Sequence, residues 1–382
     1  MSSIAFLPMP HPPSPIPPLP IAVLGAGSWG TALAASLAAG GHDVRLWARR
    51  AEAAEAIERT RRNEAYLPGA VLPAGVRATS SLGSAVDGAW LWVVAVPSQS
   101  ARDVLGGLES HVRPGSGSPG GLTIVSVAKG IENGTLLTAT GVVRSALPAL
   151  DAARVGVLYG PSHAEEVALG QPTSVVVALP DVAAAEAVQA AFMTPSLRVY
   201  ANPDVVGVEV AGSVKNVIAL AAGMGDGLGL GDNAKAALVT RGLAEVTRLG
   251  LAMGADAHTF AGLAGLGDLV VTCFSRHSRN RAFGERIGRG ETVAEALAAS
   301  TMVVEGVRTT ASVRALAARH GVEMPIAEAV GAILDGRLRP GAAVRMLMER
   351  DPRLEGVRLG GGRLSGVRLD GSAAVALDGT EA

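Results

Sequence analysis

The sequence predicts an α/β protein, with a doubly wound sheet in its first half and an all-helical second half. Short apolar segments alternate with alanine-rich helical segments up to about residue 200, which is typical of a doubly wound sheet. After Asn202-Pro203 the strand pattern stops, and helical spacing continues to Met348. A chain of 382 residues that is 48% hydrophobic can bury the cores of two domains. The predicted strands are 21–24, 43–47, 89–96, 122–128, 155–159, 174–178 and 197–200.

The two ends of the chain lack this pattern. The first twenty residues contain eight prolines and no lysine or arginine, which predicts an extended, disordered tail and not a signal peptide. Residues 351–382 repeat a Gly-Val-Arg-Leu unit among glycines without helical or alternating spacing, so we expect disorder there too. The expected organisation is a nucleotide domain over residues 21–202 and a helical domain over residues 203–350, between tails at 1–20 and 351–382.

The segment after the first strand has the spacing of a dinucleotide-binding turn. Gly25 allows a sharp turn, Gly27 lets the backbone approach a pyrophosphate, and Gly30 lets the helix pack closely. The helix that begins there directs free N–H groups at the phosphates. Ser28 and Trp29 lie inside the turn, where we expect them to line the same cofactor.

Two arginines after the second strand indicate which dinucleotide binds. An acidic residue about twenty positions after the glycines would hold the ribose of NAD, whereas arginine accommodates a 2′-phosphate. Arg49 and Arg50 occupy these positions, so we predict that NADP(H) is preferred. Glu52 lies close by, which leaves NAD(H) open, and the arginines could instead be a solvated surface pair.

Composition excludes several other classes of function. The net charge of −1 and the 3% aromatic content argue against nucleic-acid or membrane-surface binding. No apolar run reaches the length of a membrane span. Cys273 is the single cysteine, which fits a reducing, cytoplasmic location. No His, Cys or carboxylate cluster has metal-ligand spacing, so no metal is expected.

Polar residues follow two of the predicted strands. Lys129 comes directly after the strand that ends at Ala128, and Gly160 to Ser162 follow the strand that ends at Tyr159. Ligands of doubly wound sheets bind beyond the carboxyl ends of the strands. We therefore expect these residues to face a ligand crevice, although Lys129 could be a loop lysine and Ser162 a simple helix cap.

Lys215 is the strongest catalytic candidate in the helical half. A helix over 205–222 places Gly212, Lys215, Ala219 and Ala222 on one face, and Lys215 would lie over the space that Gly212 opens. Burial lowers the pKa of a lysine, which makes it a usable proton donor or acceptor near neutral pH. The alternative is a lysine that reaches solvent or pairs with a structural carboxylate.

Residues 263–290 combine glycines, a carboxylate and clustered cations. Glycines lie beside Asp268, and Arg276, Arg279 and Arg281 could present a fork to a phosphate. Ser278 looks like the N-cap of a helix that begins at Arg279. A basic first turn conflicts with the positive end of the helix dipole, and a bound anion would relieve that conflict.

These motifs resemble those of the bacterial NAD(P)-dependent sn-glycerol-3-phosphate dehydrogenases. The resemblance rests on several stretches that occur in the family's order and cover about residues 21–350. They are GAGSWGTALA, VAKGIE, GPSHAEEVA, AGSVKNVIALAAGMGDGLGLGDNAKAALVTRGLAE, GLAGLGDLVVTC, SRNRAFG and MVVEGVRTT. Only the two tails depart from the family.

The resemblance implies reversible reduction of dihydroxyacetone phosphate to sn-glycerol 3-phosphate, which feeds phospholipid synthesis. It also implies that Lys215 accepts the proton in oxidation, and that the chain forms a homodimer. Asp268 could hold Lys215 in position. The substrate contacts it implies are Lys129, Gly160, Ser162, Lys215, Asp268, Ser278, Arg279 and Asn280. The cofactor contacts are Ser28, Trp29, Arg49, Lys129, Ala164, Arg279, Val303 and Glu305, to which the spacing argument adds Arg50 and the three glycines.

Two other functions remain compatible with parts of this pattern. A ketopantoate-type or other hydroxyacid reductase would share the nucleotide domain and a helical lysine, but would not need the cluster around Arg279. A dinucleotide-binding sensor without turnover would need the glycine turn alone.

Overall fold

The computed structural model describes residues 20–112, 121–300 and 302–350. Apart from Pro20, the two predicted tails lie outside these ranges. Ten strands are present in the described residues: β1 (Ile21–Leu24), β2 (Val44–Trp47), β3 (Arg62–Asn63), β4 (Leu67–Val71), β5 (Val76–Thr79), β6 (Leu91–Val94), β7 (Thr123–Ser126), β8 (Val155–Tyr159), β9 (Thr173–Ala178) and β10 (Leu197–Asn202).

Eight of these strands form one sheet, in the order β10-β9-β8-β7-β6-β1-β2-β5. The four central strands β1, β6, β7 and β8 are buried at every residue, as expected for parallel strands covered on both faces by helices. The predicted doubly wound fold is confirmed, and every predicted strand is present with small differences at its ends. Because β1, β6, β7 and β8 are parallel, their carboxyl ends meet at one edge of the sheet.

Three features of the sheet were not predicted. β5 carries only one strongly apolar residue on its VRAT sequence, and β3 and β4 form a separate antiparallel hairpin before it. β9 pairs with β8 in the antiparallel direction. A parallel return needs a crossover of a dozen or more residues, usually helical, and the connection after β8 contains a helix of only five residues.

Helices cover both faces of the sheet and form the second half of the chain. They are α1 (Ser28–Ala39), α2 (Ala51–Thr60), α3 (Leu82–Val86), α4 (Ala101–Gly106), α5 (Ala139–Ala146), α6 (Ala164–Ala168), α7 (Val182–Phe192), α8 (Val205–Gly227), α9 (Asp232–Ala252), α10 (Ala257–Ala261), α11 (Asp268–Phe274), α12 (Arg279–Gly288), α13 (Val293–Ala298), α14 (Glu305–Arg319), α15 (Pro325–Leu334) and α16 (Pro340–Met348). The last strand ends at Asn202 and α8 begins at Val205, so we retain 21–202 and 203–350 as the proposed domains.

α8 is the central helix of the second half. α9, α11, α12 and α14 pack around it, and α12 approaches it closely at glycines. A Cβ on Gly223 would lie 1.9 Å from the Arg281 carbonyl oxygen, and one on Gly284 would lie 2.1 Å from the Leu220 carbonyl oxygen. Among the described helices, α8 alone is long and apolar enough to cross a membrane, but 83% of its most apolar window is buried inside the protein.

Candidate active site

Two lysines from different halves of the chain share one buried carboxylate. Lys129 follows β7, and its Nζ lies 2.8 Å from Asp268 Oδ2. Lys215, in the middle of α8, donates a hydrogen bond to the other oxygen, Asp268 Oδ1. Asp268 begins α11, and its side chain is only 1% exposed. The structure therefore confirms that Asp268 holds Lys215, and it adds Lys129 to the same carboxylate.

Burial gives Lys215 an unusual proton affinity. Removal of the ammonium from water lowers the pKa of Lys215 to about 7, even though Asp268 opposes this shift, and the positive charge of Lys129 lowers it further. Lys215 Nζ also donates to Thr272 Oγ1 at 2.6 Å. Lys215 is thus paired with a carboxylate and is also poised to exchange a proton near neutral pH.

Tyr159 fills the space beside Gly212, where we expected the Lys215 side chain. A Cβ on Gly212 would lie 2.5 Å from Tyr159 Cδ2, so the glycine admits the tyrosine ring and does not open a space for the lysine. The Tyr159 hydroxyl donates to the Ala128 carbonyl at 2.5 Å. The ring centroid lies 5.7 Å from Lys129 Nζ. Tyr159 thereby fixes the end of β7 and the position of Lys129.

Gly160 and Ser162 also lie beside Lys129. The Gly160 carbonyl accepts from Lys129 Nζ at 3.0 Å and from the Ser162 hydroxyl at 3.0 Å. Gly160 has a φ of +149°, and a Cβ there would lie 2.8 Å from Val175 Cα, so the position requires glycine. The N-cap of α6 is His163 and not Ser162. The His163 ring lies 5.7 Å from that of His277, and burial lowers the pKa of His163.

A short irregular turn delivers Asp268 to the two lysines. Residues Leu263–Gly267 form a π-helical turn directly before α11, a feature that is frequent at functional sites. Gly265 is required there, because a Cβ would lie 2.2 Å from the Phe260 carbonyl oxygen. Thr272 lies one turn after Asp268 on the same face of α11. This spacing of four was visible in the sequence, but Thr272 was not predicted as a site residue.

The N-terminus of α12 carries the predicted phosphate-binding residues. Ser278 is the N-cap, and its hydroxyl accepts from the Arg281 N–H at 3.2 Å, as predicted. Arg279 is exposed and donates to the Val303 carbonyl at 3.2 Å. The expected contribution of Arg281 to a phosphate fork is wrong, because its guanidinium pairs with Asp226 at 2.8 Å and Glu285 at 2.9 Å.

Buried amides link this segment to Lys129. Asn280 Nδ2 donates to Asn216 Oδ1 at 3.0 Å, and Asn280 Oδ1 accepts from the Gly306 N–H at 2.9 Å. Asn216 Nδ2 in turn donates to the Lys129 carbonyl at 3.3 Å. Asn216 was not predicted, although it directly follows Lys215. These hydrogen bonds fix the segment after β7 against the first turns of α12 and α14.

The glycine turn has the shape that a dinucleotide needs. A Cβ on Gly25 would lie 2.7 Å from the Ala95 backbone, and one on Gly30 would lie 2.0 Å from the Gly25 carbonyl oxygen. A Cβ on Gly27 would meet nothing within 4 Å, so this side of the turn is open. The N-cap residue of α1, Gly27, has no side chain that could cap the helix, which leaves the helix N-terminus available for phosphate.

The other predicted cofactor residues lie around this crevice. Trp29 packs against the cluster that contains Ala164. Arg49 and Arg50 are exposed between β2 and α2. Glu305, at the start of α14, accepts hydrogen bonds from the Ser98 hydroxyl at 2.8 Å and the Ser98 N–H at 3.2 Å. A Cβ on Gly130 would lie 3.3 Å from Glu305 Oε2, which places this carboxylate next to the segment that carries Lys129.

The described residues contain no group of three or more His, Cys, Asp or Glu side chains that could hold a metal ion.

Comparisons with known proteins match most of the two proposed domains. The family models for the N-terminal and C-terminal parts of NAD-dependent glycerol-3-phosphate dehydrogenase match residues 20–185 and 204–345. A glycerol-3-phosphate dehydrogenase (NAD(P)+) of Salinibacter ruber is 57% identical over 335 residues, 88% of this chain and 96% of the relative. One from Chlorobium phaeobacteroides is 51% identical over 88% of this chain and 98% of the relative.

Solved structures show the same fold. A crystal structure of glycerol-3-phosphate dehydrogenase from Coxiella burnetii is 40% identical, with a TM-score of 0.81, over 87% of this chain and 99% of that chain. A ketopantoate reductase from Ralstonia eutropha is 19% identical with a TM-score of 0.53, over 85% of this chain and 100% of that chain. The second likeness shows a shared fold alone.

Proposed function

The chain belongs to the NAD-dependent glycerol-3-phosphate dehydrogenase family, and we propose that its reaction takes place at the cluster of Lys129, Lys215 and Asp268. The enzyme reversibly reduces dihydroxyacetone phosphate to sn-glycerol 3-phosphate with a nicotinamide cofactor, and its product feeds glycerophospholipid synthesis. The observation that carries the assignment is the single buried carboxylate shared by two lysines at the carboxyl edge of the sheet.

Lys215 is the proton donor in reduction and the proton acceptor in oxidation. When bound, the nicotinamide supplies the hydride that adds to the carbonyl carbon of the substrate. Lys215 Nζ has three N–H donors, and two of them are directed at Asp268 and Thr272. We assign the third to the substrate oxygen, which gains negative charge as the hydride arrives and then takes the proton.

Asp268 and Lys129 prepare Lys215 for this step. Asp268 fixes Nζ of both lysines. Lys129 directs two of its N–H groups at Asp268 and the Gly160 carbonyl, which leaves one for the substrate. Its positive charge favours the anionic form of the reacting oxygen.

The presence of lysine, and not arginine, at positions 129 and 215 supports a role that needs a titratable amine. Lysine occurs only three times among the 33 lysine and arginine residues of the chain, at positions 129, 215 and 235. Arginine cannot lose its proton in proteins, whereas buried lysine can. Two of the three lysines meet at Asp268, where proton transfer is required.

The substrate phosphate would bind at the N-terminus of α12. The first turn of a helix carries unpaired N–H groups and partial positive charge, and exposed Arg279 adds a full charge there. Ser278 and Asn280 shape this turn through the hydrogen bonds described above. Gly160 and Ser162 would line the opposite wall, beside Lys129.

The names of the relatives support use of both NADP(H) and NAD(H), and we propose that NADP(H) is preferred. The pyrophosphate would lie on the open side of Gly27, between Gly25 and Gly30, with Ser28, Trp29 and Ala164 around it. Arg49 and Arg50 are exposed where a 2′-phosphate would project. Val303 and Glu305 would contact the cofactor from the helical half.

We further propose a cytoplasmic homodimer that associates through the helical half. Leu266, Val270 and Phe274 lie along the outer side of the segment that carries Asp268, and each is 40% exposed or more. A second copy would cover such a surface. Sedimentation of the purified chain at micromolar concentration tests this, and a monomer would contradict it.

The experiment that tests the catalytic assignment is substitution of Lys215 by arginine and by alanine. Turnover of dihydroxyacetone phosphate with NADPH, followed by loss of NADPH absorbance, should fall at least about 10³-fold in both variants, because loss of a general acid costs roughly this much. NADPH affinity should stay near the wild-type value. Lys235→Arg is the matched control and should keep its turnover. Near-wild-type turnover of Lys215→Arg would refute the role of Lys215.

A further inference from the structure

A buried asparagine outside the predicted site contacts the dinucleotide-binding turn. Asn63 lies at the end of β3 and is 5% exposed. Its Nδ2 donates to the Ala26 carbonyl at 2.9 Å and to Thr31 Oγ1 at 2.8 Å. Ala26 is inside the glycine turn, and Thr31 is in the first turn of α1. One amide group therefore joins the hairpin β3–β4 to both sides of the phosphate-binding turn.

The hairpin is fixed in place by its own packing. Leu67 and Ala70 on β4 pack against Ala32 of α1 and against Ala164 and Val167 of α6. The Tyr66 carbonyl, between the two strands, accepts from the Ser28 hydroxyl at 2.6 Å. The turn is thus held by a second segment of the chain at Ala26, Ser28 and Thr31.

The hydrogen bond to Ala26 determines the direction of the next N–H group. In a planar trans peptide the carbonyl and the following N–H point in opposite directions. Asn63 holds the Ala26 carbonyl on the inner side of the turn, so the Gly27 N–H points to the other side. A Cβ on Gly27 would also meet nothing within 4 Å, so there is free space beside this residue. A pyrophosphate would bind there.

We propose that Asn63 is a positioning residue for the cofactor, which orients the Ala26–Gly27 peptide so that the Gly27 N–H donates to the pyrophosphate. The inference rests on the proposed function only in requiring that the turn binds a dinucleotide. Asn63 does not contact the substrate, so its effect is confined to cofactor binding. Substitution of a residue with a merely structural role would instead lower the stability and raise the KM values for NADPH and for dihydroxyacetone phosphate together.

The test compares three single variants of the full chain. Asn63→Ala removes both hydrogen bonds of the amide. Thr31→Val removes only the bond to Thr31 and keeps the one to Ala26. Glu64→Ala is the matched hairpin control, because Glu64 is exposed and pairs at the surface with Arg62. For each variant we would measure the NADPH dissociation constant by fluorescence titration, the KM values for both substrates, kcat, and the melting temperature without cofactor.

Asn63→Ala should raise the dissociation constant and the KM for NADPH about tenfold, the equivalent of about 1.4 kcal/mol. Its kcat and its KM for dihydroxyacetone phosphate should stay within about twofold of wild type. Thr31→Val and Glu64→Ala should bind NADPH as the wild type does.

Three results would overturn the proposal. They are unchanged NADPH affinity in Asn63→Ala, equal increases in both KM values together with a lower melting temperature, and an equal loss of NADPH affinity in Thr31→Val. If Asn63→Ala does not fold, Asn63→Asp replaces it, because a carboxylate of the same size cannot donate to Ala26 and should weaken NADPH binding at least as much. Failure of the wild-type chain to bind NADPH would instead refute the proposed function.

Discussion

Substitution of Asp268 by asparagine would test how the cluster sets the proton affinity of Lys215. Asp268 is the negative partner of both lysines, and its charge opposes the effect of burial on the pKa of Lys215. Two unit charges about 4 Å apart attract by about 4 kcal/mol at an effective dielectric constant of about 20, equivalent to a factor of about 10³ in a protonation equilibrium. Without Asp268, the protonated fraction of Lys215 at pH 7 should fall from about half to about one part in 10³.

This loss predicts both a lower rate and a shifted pH profile. The smaller protonated fraction alone would reduce kcat/KM for dihydroxyacetone phosphate about 500-fold at pH 7. The remaining Lys215 ammonium is a stronger acid and transfers its proton more readily, which offsets part of this loss. The expected net decrease is about 10²-fold. The rate should increase as the pH is lowered, with its alkaline limb displaced to lower pH than in the wild type. The measurement is the initial rate of NADPH oxidation between pH 5 and 9.

Asp226→Asn provides the control for this experiment. Asp226 also lies between two cations, Lys235 at 2.5 Å and Arg281 at 2.8 Å, but it is eleven residues further along α8, about 16 Å from Lys215. Its substitution should leave the pH profile unchanged. An Asp268→Asn enzyme with a wild-type pH profile would refute the electrostatic reasoning, whatever its absolute rate.

Two further predictions follow from the same site and from the nucleotide turn. The pKa of Lys215 is about 7, and reduction needs its protonated form. Wild-type kcat/KM for reduction should therefore fall as the pH rises above about 7, and kcat/KM for glycerol 3-phosphate oxidation should fall as the pH drops below about 7. Two flat pH profiles would contradict this prediction. Substitution of both Arg49 and Arg50 by alanine should raise the KM for NADPH at least about tenfold and leave that for NADH nearly unchanged, since a charged hydrogen bond contributes about 1.5–3 kcal/mol; an unchanged NADPH-to-NADH preference would show that these arginines do not bind the 2′-phosphate.

The fold was predictable because its signals are local. The glycine turn lies between two strands within 30 residues, and the change of period after Asn202 separates the two halves without any knowledge of contacts. The antiparallel pairing of β8 with β9 was missed, because the apolar composition of a strand does not show in which direction it pairs. β5 was missed because an edge strand that is half exposed carries too few apolar residues to be distinguished from a loop.

Individual residues of the candidate site were identified from the sequence, but most of the contacts between them were not. The contact between Lys215 and Asp268, 53 residues apart, was expected, whereas the contact between Lys129 and Asp268, 139 residues apart, was not. Helical spacing placed Gly212 next to Lys215, but it could not show that Tyr159 would fill the space. Asn63 and Asn216 were missed for the same reason, since an amide that bonds to a distant backbone carbonyl has no signature in its own segment.

The balance of charge explains why a lysine is placed where burial works against it. Lys129, Lys215 and Arg279 supply three positive charges, and Asp268 removes one. A phosphorylated substrate brings about two negative charges at neutral pH, as phosphate monoesters do, so the occupied site is close to neutral. Hydride addition then creates a further negative charge on the substrate oxygen. Transfer of a proton from Lys215 removes that charge and the ammonium together, which leaves the total unchanged in a region of low dielectric constant. An arginine at position 215 would preserve the initial balance, but it could not complete this transfer, because its proton is not released.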